Sequence, residues 1–216
     1  MDSSLLEAVV TALLSGACVT VEVTAGALTM ALLIGLGLAT TTYLSRNPLV
    51  ALLVRAYVEV LRNVPSLTFL FLLYFGLAAF GLRLSSLCAA IVGLGMIGGA
   101  VAVDIFCSGF QSVPSGQGEA AAAVGLTPFK AFRLIILPQG LRLALPSLGN
   151  YAVALVKDTS LVAAIAAPEV MFNARQLVNE TFETAAIYGA AAILYLILTM
   201  AVTQTVSLIE RRLEIA

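Results

Sequence analysis

Charge is what this chain has least of. Of its 216 residues, 11% are Asp, Glu, Lys or Arg, against about a quarter in a soluble domain, so an ordinary water-facing globular domain is excluded. The shortage does not signal disorder. A disordered chain needs low hydrophobicity and high charge, whereas 61% of this one is hydrophobic and its mean hydropathy is +1.05. Histidine is absent, and Cys18, Cys88 and Cys107 lie far apart in apolar sequence without a CxxC. Neither a metal site nor a disulfide framework is expected, and the three thiols are expected as buried small hydrophobes. Eleven Lys+Arg offset twelve Asp+Glu, and no basic tract exists to release counterions from nucleic acid. No polar linker divides the sequence, which leaves a single all-α integral membrane domain over residues 1–216.

The few charges that are present measure the spans between them, because a helix needs about 20 apolar residues to cross the hydrocarbon core. Glu22 to Arg46 encloses 23–45, Arg62 to Arg83 encloses 63–82, Arg83 to Asp104 encloses 84–103, and Glu183 to Glu210 encloses 184–209. A fifth stretch, 143–168, is interrupted only by Lys157 and Asp158. Five transmembrane helices put the termini on opposite sides, and the excess of Lys and Arg on cytoplasmic segments decides which. With the C-terminus inside, Arg46, Arg55, Arg62, Lys130, Arg133, Arg142, Arg211 and Arg212 lie at the inner face. Arg83 and Arg175 then lie outside, among Asp2, Glu7, Glu169, Glu180 and Glu183.

Ahead of the first span, residues 1–16 carry Asp2 and Glu7 but no Lys or Arg, so they lack the basic start of a signal peptide. Ser4-Leu5-Leu6-Glu7 has the form of a capping box, which predicts a short helix lying on the outer surface. In the third span Gly93, Gly95, Gly98 and Gly99 present a small-residue surface that another helix can approach closely.

Between the third span and 143–168 lies the one long polar stretch, residues 116–138. It begins with an alanine run of high helix propensity. Gly125 is placed to cap that helix at its C-terminus. Thr127 is placed to cap a second helix with Pro128 at its first position, and Pro138 is expected to close it. The prediction is an ordered elbow on the basic side, too polar to cross the bilayer.

At these residues the chain resembles a known family. Glu119-Ala120-Ala121, then Gly125, Ile135 and Leu137-Pro138 match the EAA motif of the membrane subunits of ATP-binding-cassette (ABC) importers. Tyr57-Val58-Glu59 with Arg62 and Pro65, then Tyr74-Phe75-Gly76-Leu77, resemble the polar amino acid permeases within that family. So do Phe110 to Gln117 and Lys157-Asp158-Thr159-Ser160-Leu161-Val162. The resemblance covers residues 17–212. It implies a type I ABC importer (MetI-like) permease fold in a bacterial cytoplasmic membrane, and uptake of a polar amino acid or a related solute such as an opine or cystine. It also implies that Glu119, Ala120, Ala121, Gly125 and Pro138 couple the chain to an ATPase. No GxxxxGK[ST] occurs, so ATP and magnesium are expected on two separate ATPase subunits, with no cofactor in this chain. A second permease copy or homologue, an extracytoplasmic amino-acid-binding protein and membrane lipid complete the expected partners. The third span departs from the family, with Ile97-Gly98-Gly99-Ala100 where relatives often have Asn-Ser-Gly-Ala, which puts a substrate contact there in doubt. A secondary transporter acting alone is the alternative of another class, but it gives no reason for the elbow.

Ionisable residues inside spans are costly and are functional candidates by default. Lys157 and Asp158 with Thr159 and Ser160 offer both charges and hydroxyls to a zwitterion; the other reading has Asp158 pairing with Lys157 or Arg62 only to fix helix geometry. Glu59 and Arg62, three residues apart on one helix face, form either a boundary ion pair or a gate. Asp104 is expected to end the third span and to help position the elbow.

Overall fold

Hydrocarbon offers no partner to a backbone N–H or C=O, so a chain this apolar must satisfy its backbone internally. The computed structural model describes residues 3–45 and 47–214 and does so with helix and no strand among them. In order these are α1 (Ser3–Leu44), α2 (Pro48–Asn63), α3 (Ser66–Phe71), α4 (Leu77–Ala79), α5 (Ser86–Gln111), α6 (Ser115–Ala123), α7 (Pro128–Ala131), α8 (Leu137–Asp158), α9 (Val170–Thr181) and α10 (Thr184–Glu214). π-helical turns at Leu72–Gly76 and Phe132–Ile136 join α3 to α4 and α7 to α8, and a 3-10 segment, Thr159–Ile165, extends α8. Asp2 and Arg46 lie outside the described residues, as does the Ser4 side chain of the expected capping box.

Four continuous segments are long and apolar enough to cross a membrane: Leu6–Leu44, Ser86–Gln111, Pro128–Ile165 and Thr184–Arg212. The fifth is broken. Pro48–Asn63 and Ser66–Ala79 meet at 104°, because Pro65 disfavours helical backbone at the residue before it and Val64 is extended, with ψ 129°. The span expected at 63–82 is therefore a short helix preceded by an inclined one.

Two expectations are corrected. Residues 1–16 do not form a separate surface helix: from Ser3 the chain is one 42-residue helix, about 63 Å at 1.5 Å per residue, because nothing between Ser3 and Glu22 breaks it. Nor does Pro138 close the second elbow helix. Helix continues through it into α8, since the π turn before it carries the Leu137 N–H to the Phe132 carbonyl and loosens the turn into which a proline ring would otherwise press.

α5 is the axis of the bundle. A Cβ on Gly95 would stand 2.8 Å from Met30 Sδ, and one on Gly35 would stand 2.9 Å from the Ala102 carbonyl carbon, so α1 runs parallel to α5 at close range. α8 runs antiparallel on another face, where a Cβ on Gly109 would lie 2.6 Å from the Gly140 carbonyl oxygen and one on Gly98 would overlap Tyr151. The small-residue surface is thus packed by α1, α2, α3 and α8 together. Away from the 116–138 elbow the core holds Leu70, Leu94, Leu155, Val162 and Ile165. Beside the elbow it is aromatic, with Phe110 and Phe132 edge to face at 5.2 Å and Tyr43 5.0 Å from Phe132. The cysteines are not the buried residues expected: Cys18 and Cys88 are exposed, and Cys107 is half-buried at the edge of the core.

Overpacking so close a crossing costs about 1–3 kcal/mol. Gly109→Val is expected to lower the thermal stability of the detergent-solubilised protein by that order, while Gly116→Ala, with nothing within 4 Å of the added carbon, leaves the unfolding temperature unchanged.

Candidate functional site

The elbow is built as its sequence dictates. α6 ends at Val124, and Gly125, at φ +77°, turns the chain in the left-handed region that glycine adopts without strain. The Gly125 and Leu126 N–H groups then donate back to the Ala122 and Ala121 carbonyls, both at 3.0 Å, which closes the helix end. Thr127 Oγ1 accepts from the Lys130 N–H, and Pro128 holds the first position of α7. Ala121 is buried where α6 meets the following π turn, whereas Glu119, Ala120, Gly125 and Pro138 are exposed. Two apolar side chains also face outward here, Val124 at 76% and Phe129 at 57% exposure. The elbow is thus ordered and turns Val124 and Phe129 away from its own core.

A cavity of about 630 Å³ lies beside α5, lined by Arg55, Glu59, Arg62 and Asn63 of α2 and by Asp104 and Cys107. Its volume falls within the range of about 300–1,000 Å³ typical of small-molecule sites. Glu59 and Arg62 do not pair with each other. Asn63 donates its amide to the Glu59 carbonyl at 2.7 Å and to Glu59 Oε2 at 3.1 Å, while Arg62 reaches across to Asp104 in the one ion pair among the described residues. α2 is already held against α5 where the Tyr57 hydroxyl donates to the Met96 carbonyl at 2.6 Å, which brings the Asp104 charge within reach. Both partners are half exposed, and such a pair contributes roughly 1 kcal/mol or less.

The end of α8 stands apart from this cavity. Lys157 and Asp158 are exposed, and Asp158 forms no ion pair with either Lys157 or Arg62, so the geometry-fixing pair does not occur. Thr159 is buried and its hydroxyl donates to the Val156 carbonyl at 2.7 Å; the Ser160 hydroxyl donates to the Lys157 carbonyl at 2.8 Å. Both hydroxyls satisfy the helix end where α8 tightens to 3-10, with their acceptor lone pairs left over. The candidate residues therefore divide into Glu59 and Arg62 at the cavity and Lys157, Asp158, Thr159 and Ser160 at the α8 terminus.

One polar group escaped the sequence argument. Glu169, expected among the outer acids, is completely buried. It precedes α9 and accepts the Phe172 N–H on Oε1 at 2.8 Å, as an N-cap acid does. Its Oε2 accepts the Tyr195 hydroxyl from α10, and the neighbouring Val170 N–H reaches Thr20 Oγ1 of α1 at 3.5 Å. The available signal was Tyr195, a hydroxyl in an apolar span that must find a partner. Burial pushes the Glu169 carboxyl above the usual glutamate range, against the Tyr195, Met171, Phe172 and Thr20 hydrogen bonds that lower it.

Comparison with known proteins agrees with this architecture. Residues 31–215 match the family model for the binding-protein-dependent transport system inner membrane component. The chain is 38% identical to the probable glutamine ABC transporter permease protein GlnM of Bacillus subtilis, over 74% of each chain. It is 31% identical to the histidine/lysine/arginine/ornithine transport system permease protein HisQ of Escherichia coli, over 94% of this chain and 93% of that one. Among solved structures, an amino acid ABC transporter crystallised with histidines superposes with a TM-score of 0.90 at 30% identity, over 98% of this chain and 99% of that one.

The buried acid gives a pH test. A carboxyl whose pKa is raised on folding stabilises the fold at acid pH, and that contribution is lost as pH rises through the raised value. Glu169→Gln is therefore expected to flatten the decline of melting temperature between acid and neutral pH. Glu169→Ala, which strands the Tyr195 hydroxyl, should cost about 1–3 kcal/mol at any pH. An unchanged slope in the glutamine variant would assign the pH dependence to other groups.

Proposed function

The chain belongs to the family of binding-protein-dependent transport system inner membrane components, and we propose that it works as one transmembrane domain whose elbow, residues 116–138, receives movement from an ATPase. It is a multi-pass membrane permease of a polar amino acid ABC importer. ATP and magnesium belong to two ATPase subunits on the basic side, so the C-terminus is inside and the N-terminus outside. A second copy or a homologue completes the passage, since the cavity beside α2 is open in a single chain, and an amino-acid-binding protein docks on the outer face.

The observation that carries this reading is the elbow surface: Val124 and Phe129 turned outward around Gly125, beside the exposed Glu119 and Lys130. Glu119, Ala120, Ala121, Gly125 and Pro138 are the coupling residues. Phe132 stands one residue past α7 and packs on both Phe110 of α5 and Tyr43 of α1, so an elbow displaced by its partner moves the inner ends of both helices. ATP and the loaded binding protein shift the permease between its two openings only through their different affinities for those states. Substrate is held in turn by Glu59 and Arg62 at the cavity and by Lys157, Asp158, Thr159 and Ser160 at the end of α8.

Copurification tests the assembly: a tagged chain should bring down an ATPase, and uptake into vesicles should require ATP. Uptake that persists without ATP would overturn the reading. At the elbow, Gly125→Asp puts a Cβ at positive φ and a charge beside Val124. It should abolish uptake while membrane insertion is retained, and Gly125→Asn, a residue tolerated in the left-handed region, should retain part of it. For the α8 group, Asp158→Ala should lower uptake more than it lowers the amount of protein in the membrane; equal losses would make the residue structural.

A further inference from the structure

Asp104 belongs to two cavities at once. It lines the 630 Å³ cavity together with Arg55, Glu59 and Arg62, and it also lines a second space of about 290 Å³ bounded by Ser108 of α5, Ser112 just after it and Ser147 of α8. The second space lies toward the inner end of α5, because Ser108 and Ser112 follow Asp104 by one and two turns and α5 ends at Gln111 beside the elbow. The Arg62–Asp104 pair therefore stands at the boundary between the two. It bridges α2, the inclined half of the broken span, and α5, the axis of the bundle, where no backbone bond holds them together.

We propose that the Arg62–Asp104 ion pair is the inner constriction of the transport path, a positioning pair that opens when a zwitterionic amino acid supplies substitute charges. The α-carboxylate of the passing solute replaces Asp104 at Arg62, and its ammonium replaces Arg62 at Asp104, so neither charge is left without a partner as the solute passes. Three observations support this. The cavity wall carries two cations, Arg55 and Arg62, and two anions, Glu59 and Asp104, and so matches a net-neutral zwitterion better than a net-charged solute. Both members of the pair are half exposed, hence accessible from the cavity and weakly held. Glu59, the acid on the same helix as Arg62, is engaged by Asn63, which leaves Asp104 as the counter-charge from the other side.

The proposal rests on the importer reading, and its test separates the two. The permease, its ATPase and the binding protein are reconstituted in liposomes, and ATP-driven uptake of a radiolabelled amino acid is measured with ATP hydrolysis in the presence and absence of loaded binding protein. Asp104→Asn and Arg62→Gln, close in shape to the native residues, should each reduce uptake at least tenfold and raise hydrolysis without substrate. The exchange of the two residues, Arg62→Asp with Asp104→Arg, should recover uptake to within about threefold of wild type. Wild-type uptake with unaffected single variants would overturn the constriction alone, and so would an exchanged pair no better than either single variant. Absence of ATP-driven uptake in wild type would overturn the importer reading. Where a charge variant fails to assemble, Arg62→Lys and Asp104→Glu decide the matter: both keep the pair and should transport, and loss of transport in both, with normal assembly, would overturn the proposal.

Discussion

The structure depends on one helix carrying glycine at the points where its neighbours come closest. α5 presents Gly95, Gly98, Gly99 and Gly109 to α1, α2 and α8 at distances a single Cβ would occupy. In lipid the hydrophobic effect does not drive helices together, since hydrocarbon is as apolar as leucine. Close backbone approach must then supply the packing energy, through many weak contacts at short range. Parallel α1 and antiparallel α8 are held in register by this constraint, and the broken span α2–α4 is laid against the same surface by Tyr57 and Leu70.

α5 is the common neighbour of the other helices. At the elbow end the path of contacts is aromatic and short. The elbow closes on Gly125, α7 follows, and Phe132 is already in contact with Phe110 and Tyr43. The π turn is part of that path: it lets a proline stand inside a continuous helix, so the second half of the elbow is the first part of α8 rather than a separate piece. Phe129 therefore stands on the same continuous helix that carries Lys157 and Asp158 some thirty residues later. At the outer end Glu169 joins α9 to α10 through Tyr195, and a Cβ on Gly16 would meet the Val170 backbone nitrogen at 2.8 Å, so α9 is clamped to α1 as closely as the spans are to one another.

Much of this was legible in the sequence because charge was scarce. The presence of several membrane-long apolar segments and the elbow with its glycine break, its Thr127 cap and its Pro128 start all follow from local rules of backbone and solvation. What was not legible depends on partners distant in the chain. Glu59 and Arg62, three residues apart, read as either a boundary ion pair or a gate, whereas Arg62 meets Asp104, forty-two residues away; periodicity specifies a helix face and is silent about the helix opposite. Residues 1–16 were separated from the first span on the strength of a capping signal and a surface-helix pattern, and the unbroken helix overrode both. Pro138 was read as a stop because the rule against proline in helices assumes α geometry, and a π turn suspends it.

Glu169 and Asp104 show why a carboxylate in such a chain cannot be placed by composition alone. Both sit near the end of an apolar segment, and both were assigned to the membrane boundary. Glu169 is fully buried, and its two oxygens accept from a helix start and a tyrosine, so the acid is held by neutral donors and serves to lock α9 in place. Asp104 stays half exposed, paired with the Arg62 cation at the edge of a cavity, so its partner is a charge that another charge can replace. A buried group satisfied by neutral dipoles leaves a passing ion nothing to exchange, whereas an open ion pair lends itself to exchange. The difference between an anchor and a constriction thus lies in the kind of donor that the opposite helix supplies, and in this molecule it separates Glu169 from Asp104.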